Sequence, residues 1–523
     1  MAQSRIFLQI APYFDVILWR NLDFFVTLRH SINLKIVKKM ESAIIGRKSE
    51  IKRLKAYVES DKSEFVAIYG RRRVGKTFLV KELLDNQLSF RMTGRENASL
   101  ATQLTNFSYA MSDYFDDNST PKNWPEAFRL LAKHLEQSQN KTKIIFIDEL
   151  PWFDTPKSGF VNALEYFWNN WAYYRSDIKL IVCGSATSWM LNKIINARGG
   201  LHNRVTHTIL VSPFSLKETE MYFKNRGFDY ERPEIIDCYM AMGGVAYYLS
   251  LFESDKSVAE NIEALCFTRG GELIDEFSKL YKSLFKKADN HLAVILALNN
   301  VGMGMTRLDI INKAKLPNNG NLTTVLNELE QCEFVRSYNP FGKSKKDTMY
   351  QLTDQFSLFH LRFIGSKNNF EKHHWTKQIG TPEYNSWCGY AFETVCLHHI
   401  NQIVEALGIS GTINTPCSWV YRPSKAVLSD NDTDDDLKTG AQIDLLIDRN
   451  DKTITVCEIK YSETEFIIDK SYDQRVQNRL RTFRKVTGTN KTITTAYITP
   501  LGLFNNMYSR RAGKQLTADD LFN

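Results

Sequence analysis

Residues 70–77 read GRRRVGKT, set between the apolar run EFVAIYG and the helical pattern KTFLVKELLD. Few octets constrain a chain more. A glycine at each end lets the backbone turn tightly, and the turn delivers its N–H groups to the positive end of the following helix. That arrangement cradles a polyphosphate. Gly70, Arg71, Arg72, Arg73, Val74, Gly75, Lys76 and Thr77 therefore form the expected ATP-binding loop. Lys76 would reach the β- and γ-phosphates, and the Thr77 hydroxyl would join the shell of a Mg²⁺ ion. A loop of this kind sits at the carboxyl edge of a parallel sheet, so the expected fold class is α/β.

The second half of such a site reads IIFIDELPW. Four apolar residues, Ile144 to Ile147, deliver Asp148 and Glu149 to the same sheet edge. Asp148 is the expected magnesium ligand. Glu149 is the expected catalytic base, orienting or deprotonating the attacking water. CGSATSW closes a further strand, and Ser185 or Thr187 falls where a γ-phosphate sensor would stand. Arg198 and Arg204, in NARGGLHNRVTH, are candidates for an arginine finger acting within or between subunits.

Continuous apolar runs at KIIFIDEL and KLIVCGSA read as strands covered by helices on both faces. Helical patterns lie at 46–60 and around 99–116, 125–137 and 158–175. Taken with IIGRKSEIKRL, GRRRVGKTFLV, FIDELPW, VCGSATSWM, TILVSPFSLKETE and MGGVAYYL, residues 44–250 resemble the archaeal-type ATPase family, P-loop proteins of the STAND/AAA+ kind. Ala246 stands where that family's GGxP text has its proline. The resemblance implies a helical lid, followed by a winged helix, ending near LTDQFSLFHLRF.

Residues 284–356 support that order independently. HLAVILALNN, TRLDIINKAKL and NLTTVLNELEQCEFV are three helical patterns, and RSYNPFGKSKKDTMYQLTD reads as a hairpin with a Gly/Lys tip. Lys343, Lys345 and Lys346 at that tip are expected phosphate contacts on DNA.

The last segment opens with a helix containing Glu393, then AQIDLLIDR and TITVCEIKYS as strands, a basic helix DQRVQNRLRTFRKV and a strand TTAYIT. Residues alternate faces along a strand, so Glu458 and Lys460 share one side, where Asp444 on the neighbouring strand can meet them. Carboxylates so placed hold a divalent metal that activates water against a phosphodiester. The order helix-Glu, strand-Asp, E-x-K resembles the PD-(D/E)xK nuclease fold. Asp444, Glu458 and Lys460 are the expected catalytic residues, with Asp444, Glu458 and Glu393 around the metal. Gln474 and Arg475 are candidates for gripping a phosphate. SDNDTDDD at 429–436 only opens like a calcium loop, since glycine and glutamate are missing where such a loop needs them.

The expected organisation is an N-terminal extension (1–39), a P-loop ATPase domain (40–212), a helical lid (213–283), a winged helix-turn-helix (284–365) and an α/β restriction-endonuclease-like domain (384–523). Half of the net charge of +8 lies in residues 1–39, so the body is only mildly basic. Asp15, Arg20 and Asp23 interrupt the apolar N-terminal stretch, leaving nothing near the ~20 residues of a membrane span. Eight scattered cysteines contain no CxxC pair, which argues against a zinc site or disulfide framework and for the cytoplasm. The expected activity is a Mg²⁺-dependent ATPase coupled to a nuclease-like end, with nucleic acid, DNA foremost, as partner. A protein partner or homo-oligomer is also open. The competing readings are a non-cleaving ATP-driven switch and a DNA-binding transcription regulator.

Overall fold

The computed structural model describes residues 44–197, 200–285, 287–365, 373–429 and 435–523. The extension at 1–39, Arg198 and most of the acidic loop at 429–436 lie outside the described residues.

Helix α1 (Lys48–Val58) leads into strand β1 (Glu64–Tyr69), whose residues from Glu64 to Ile68 are all buried. Helix α2 (Lys76–Leu84) follows the phosphate loop, and β2 (Leu88–Thr93) returns at the sheet edge. Helices α3 (Leu100–Phe115) and α4 (Trp124–Gln137) start where Ser99 and Asn123 accept hydrogen bonds from the N–H groups of Thr102 and Glu126. Strand β3 (Lys143–Asp148), helix α5 (Phe160–Phe167), β4 (Ile178–Gly184) and β5 (His207–Leu210) complete this layer. The strands run β2-β3-β4-β1-β5, all parallel. Strands β3 and β4 are buried along their whole length, as a parallel sheet with helices on both faces requires. The loop at 70–77 thus leaves the carboxyl end of β1, between β4 and β5.

Helices α6 (Leu216–Asn225), α7 (Arg232–Met242), α8 (Val258–Cys266) and α9 (Glu276–Leu284) come next. They are followed by α10 (Asp289–Leu298), β6 (Met305–Thr306), α11 (Arg307–Ala314), α12 (Gly320–Gln331), β7 (Val335–Tyr338) and β8 (Met349–Leu352). The three strands form a small antiparallel sheet ordered β6-β8-β7.

Helix α13 (Pro382–His398) carries the chain to a second five-stranded sheet. Its strands are β9 (Asn414–Tyr421), β10 (Ala441–Arg449), β11 (Thr453–Ile459), β12 (Thr492–Ile498) and β13 (Lys514–Leu516), with helix α14 (Lys470–Thr487) between β11 and β12. β9, β10 and β11 pair antiparallel, and β12 and β13 join in parallel. One continuous apolar core runs from Phe214 through α7, α12 and α13 to Phe522, so the helical segment, the small sheet and the second large sheet share buried side chains. All eight cysteines are buried and unpaired. Among the described residues no helix is long and apolar enough to cross a membrane.

Candidate active site

The loop after β1 is held by close backbone packing. Gly70 sits at φ 139°, and a Cβ there would meet the Val211 carbonyl oxygen at 2.2 Å, so only glycine fits. Gly75, at φ 94°, caps α2. Lys76 is buried, and its Nζ donates to the Arg71 carbonyl at 2.8 Å and to Ser185 Oγ at 3.1 Å. Ser185 Oγ in turn donates to Glu149 Oε1 at 2.9 Å. On the other side Thr77 Oγ1 donates to Asp148 Oδ1 at 3.2 Å, and the Glu149 N–H meets the same oxygen at 3.0 Å.

Five predicted residues, Lys76, Thr77, Asp148, Glu149 and Ser185, therefore form one connected polar chain. Ser185 lines the cavity over this chain, whereas Thr187 is fully buried and does not. Burial, then the Glu149 charge, pushes the Asp148 carboxyl above its ordinary range. Burial lowers the Lys76 ammonium against the pull of Glu149 and Asp148. Two adjacent acids with a hydroxyl beside them form an oxygen donor set that suits a hard divalent cation.

The cavity over this chain measures about 470 Å³. Arg72, Arg73, Lys76, Thr77, Glu149 and Ser185 form its polar end. Ile44, Ile45, Phe214, Tyr222 and Tyr247 form its apolar end, a shape suited to a purine base beside a triphosphate. Sequence reasoning missed this apolar wall, although IIGR and SPFSL were the text that carries it. Ala246 and Tyr247, at the position of the missing proline, line the same cavity, and the Tyr247 N–H donates to the Arg73 carbonyl at 3.2 Å.

Two side chains behave differently from expectation. Arg71 contributes backbone to the loop, but its guanidinium turns away and pairs with the buried Asp354 at 2.5 Å. Burial works against the Arg71 charge, and Asp354 more than offsets it. Arg204 stacks over the Tyr173 ring at 4.8 Å and does not line the nucleotide cavity of its own chain. The Arg204 guanidinium is thus placed on that ring and not among the residues that line the cavity.

The second candidate cluster lies where β10 and β11 part. Their pairing ends at Leu445 opposite Cys457, and Asp444 and Glu458 are the next residue on each strand. A bulge opposite β9, between Ile443 and Leu446, re-aims Asp444. Asp444 lines a small void with Glu393, Ser418 and Tyr338. Burial first, then Asp444 and Glu458 against the opposing Lys460, pushes the Glu393 carboxyl up to about 8.

Glu458 is engaged by α14. Its carboxylate accepts from Tyr472 Oη at 3.0 Å and from the Arg479 guanidinium. Among the described residues no group of three His, Cys, Asp or Glu side chains is arranged to hold a metal. The expectation that Asp444, Glu458 and Glu393 stand ready around one ion is corrected accordingly. Glu458, only 3% exposed, satisfies its buried charge with a guanidinium. The basic-helix residue that reaches the cluster is Arg479, while Gln474 and Arg475 are exposed and Arg475 lies over the Tyr472 ring. Its signal was helical spacing: Arg479 lies two turns after Tyr472 and so shares its face.

Comparison with known proteins agrees with the first site. Residues 44–252 match the model of an ATPase domain found predominantly in Archaea. An uncharacterized protein of Methanocaldococcus jannaschii is 24% identical over 434 residues, 80% of this chain and 88% of that protein. An uncharacterized ATP-binding protein of the same archaeon is 42% identical over 43 residues, 8% of this chain and 73% of the relative. Among solved structures, the Walker-type ATPase of Pyrococcus abyssi aligns at TM-score 0.44 and 18% identity, over 61% of this chain and 96% of that one. The ORC2 protein of Aeropyrum pernix, in ADPNP–ADP complexes, aligns at TM-score 0.30 and 14% identity, over 62% and 94%. Geometry and family match converge on one stretch: residues 44–252 of this chain match an ATPase domain of predominantly archaeal type.

Proposed function

We propose that this protein hydrolyses ATP at the loop of residues 70–77 and uses the cycle to control a nucleic-acid-directed, nuclease-like end. The observation that carries the ATPase half is the polar chain from Lys76 through Ser185 to Glu149. It brings Lys76, Ser185 and Glu149 together at one cavity, which supports their reading as phosphate-binding cation, sensor and base. Glu149 orients and deprotonates the attacking water, and Lys76 and Arg72 meet the phosphate charge. Mg²⁺, held by Thr77 and Asp148, would neutralise charge between the phosphates. Arg204 would act on a neighbouring subunit's nucleotide.

The output half rests on element order and charge. Three helices with a three-stranded antiparallel sheet, at 289–352, follow the order of a winged helix. Exposed Lys343, Lys345 and Lys346 lie between β7 and β8 and suit phosphate contacts on DNA. The cluster of Glu393, Asp444, Glu458 and Lys460 supports a metal-dependent phosphodiester site once Arg479 releases Glu458. Asp444 and Glu458 would then hold the metal, and Lys460 would steady the developing charge.

A second reading, a non-cleaving ATP-driven switch, is favoured by the engaged state of Glu458. The deciding measurement is Mg²⁺- or Mn²⁺-dependent cleavage of plasmid DNA, with and without ATP, by the wild type and by Asp444→Ala. Cleavage lost in the variant while phosphate release from ATP continues supports the nuclease. No cleavage by the wild type in any metal leaves the switch.

A further inference from the structure

The void beside Asp444 measures only about 10 Å³, room for at most a single water. A phosphodiester cannot enter that void, whereas on its outer side Asp444 is half-buried and accepts from the exposed Gln442 at 2.5 Å. Half of its wall belongs to the small antiparallel sheet and the turn before it: Met303, Arg336, Tyr338 and Gln351 face Glu393 and Asp444 across the void.

The sheet is fastened there. Ser418 Oγ donates to Tyr338 Oη at 2.9 Å, and the Phe341 N–H donates to the Ser418 carbonyl at 2.8 Å. The Phe341 ring packs on Phe483 of α14 at 5.2 Å. Tyr390 Oη, on α13, donates to the Leu352 carbonyl at 3.3 Å.

The same sheet is fastened to the phosphate loop. Two residues after β8, Asp354 accepts from Arg71 at 2.5 Å, 283 residues away in sequence, with both side chains buried. Asp354 also caps the next helical turn through the Ser357 N–H at 2.8 Å, so it cannot drift freely. The Arg71 carbonyl accepts from Lys76 Nζ. Phosphates that recruit Lys76 therefore take a hydrogen bond from Arg71 itself.

We propose that the small sheet is an autoinhibitory cover over the acidic cluster, and that Arg71–Asp354 makes its position answer to the nucleotide. The proposal rests on reading the cluster as a phosphodiester site. Nucleotide at the loop shifts Arg71, loosens Asp354 and lets β7 and β8 lift from Asp444. The cover thereby closes the inner side of Asp444 and Glu393 until ATP is engaged, while Glu458 stays with Arg479.

The test places a thiol at the seam, Ser418→Cys in the full chain, and follows maleimide labelling by mass spectrometry. Ser418 is 1% exposed, and labelling of so buried a group tracks the population of the open form. The parent chain, with its buried native cysteines, sets the background. Labelling is expected to accelerate about tenfold or more with Mg²⁺–ATPγS, and likewise when Arg71→Met removes the tether. Asp354→Asn, nearly the same shape without the charge, provides a second variant should Arg71→Met fold poorly. Unchanged labelling under nucleotide and in both variants overturns the cover. Plasmid cleavage on the same preparations separates the two ideas. Labelling that responds without cleavage sinks the nuclease and leaves the cover, whereas cleavage with unresponsive labelling sinks the cover alone.

Discussion

Arg73, in the phosphate loop, reaches the buried Glu276 of α9 at 2.5 Å and lies 4.2 Å over the Tyr247 ring. One side chain thus clasps two parts of the helical segment that borders the nucleotide cavity. Glu276 also accepts from Tyr248 Oη at 2.9 Å, and burial holds its carboxyl above the ordinary range. Removing the guanidinium leaves a buried acid with a single neutral donor. Arg73→Met should therefore cost about 3 kcal/mol of stability, toward the low end for breaking a buried pair. Its KM for ATP should rise more than its kcat falls. Glu276→Gln, which removes the charge and keeps the shape, should cost less. Urea unfolding and steady-state kinetics measure both.

Lys76→Ala and Glu149→Gln should part ways. The first removes the cation from the phosphates, and nucleotide binding should collapse with turnover. The second keeps a side chain able to accept from Ser185 and loses only the base, so binding survives while kcat falls about 10²- to 10⁴-fold. A fluorescent ATP analogue and phosphate release read the two quantities separately. Equal loss of binding in both would remove Glu149 from its role.

Stability should fall between about pH 4 and pH 6 because of Asp237. Burial first, then Glu463 and Glu234, raises this carboxyl from 3.8 to about 6, although Tyr461 Oη donates to it at 2.8 Å. The folded chain thus holds the proton more tightly than the unfolded one. The stabilisation is complete below the ordinary aspartate range and is lost as pH rises through 6. Its full size is at most about 3 kcal/mol for a rise from 3.8 to about 6. Asp237→Asn should flatten that part of the curve, which chemical denaturation at several pH values would follow.

Replacing Lys343, Lys345 and Lys346 together by alanine should weaken DNA binding at every sequence alike. Each lost phosphate contact should lower the slope of log affinity against log salt by roughly 0.9. Titration of duplex DNA at several salt concentrations gives the slope. An unchanged slope would move the nucleic-acid surface elsewhere.

The nucleotide site was legible because its chemistry is written locally. Gly70, Gly75, Lys76 and Thr77 lie in one octet, and Asp148 and Glu149 stand at the end of one apolar strand. Their partners follow once the strands are parallel. Distant pairings left no such trace. Nothing in the text around Asp354 announces Arg71, since an acid after a strand is an ordinary helix cap. The edge strands β2, β5, β9 and β13 also escaped notice. LSFRMT and HTIL have a composition that helices and loops share, and they become strands by pairing with β3 and β1. At the acidic cluster the order of residues was readable, but the direction of Glu458 was not. Tertiary packing decides whether it meets Arg479 or a metal, and the helix carrying Arg479 begins eleven residues after the end of β11.

The buried cysteines turn the molecule into its own clock. A thiol reacts as the thiolate, and burial pushes Cys332, Cys388, Cys417 and Cys457 up to about 12 and raises Cys183 and Cys396 as well. At neutral pH they stay silent until the chain around them opens. Cys183 lies on a central strand of the first sheet and Cys417 on the outermost strand of the second. The order in which the eight become reactive during slow denaturation would record the sequence in which the layers come apart.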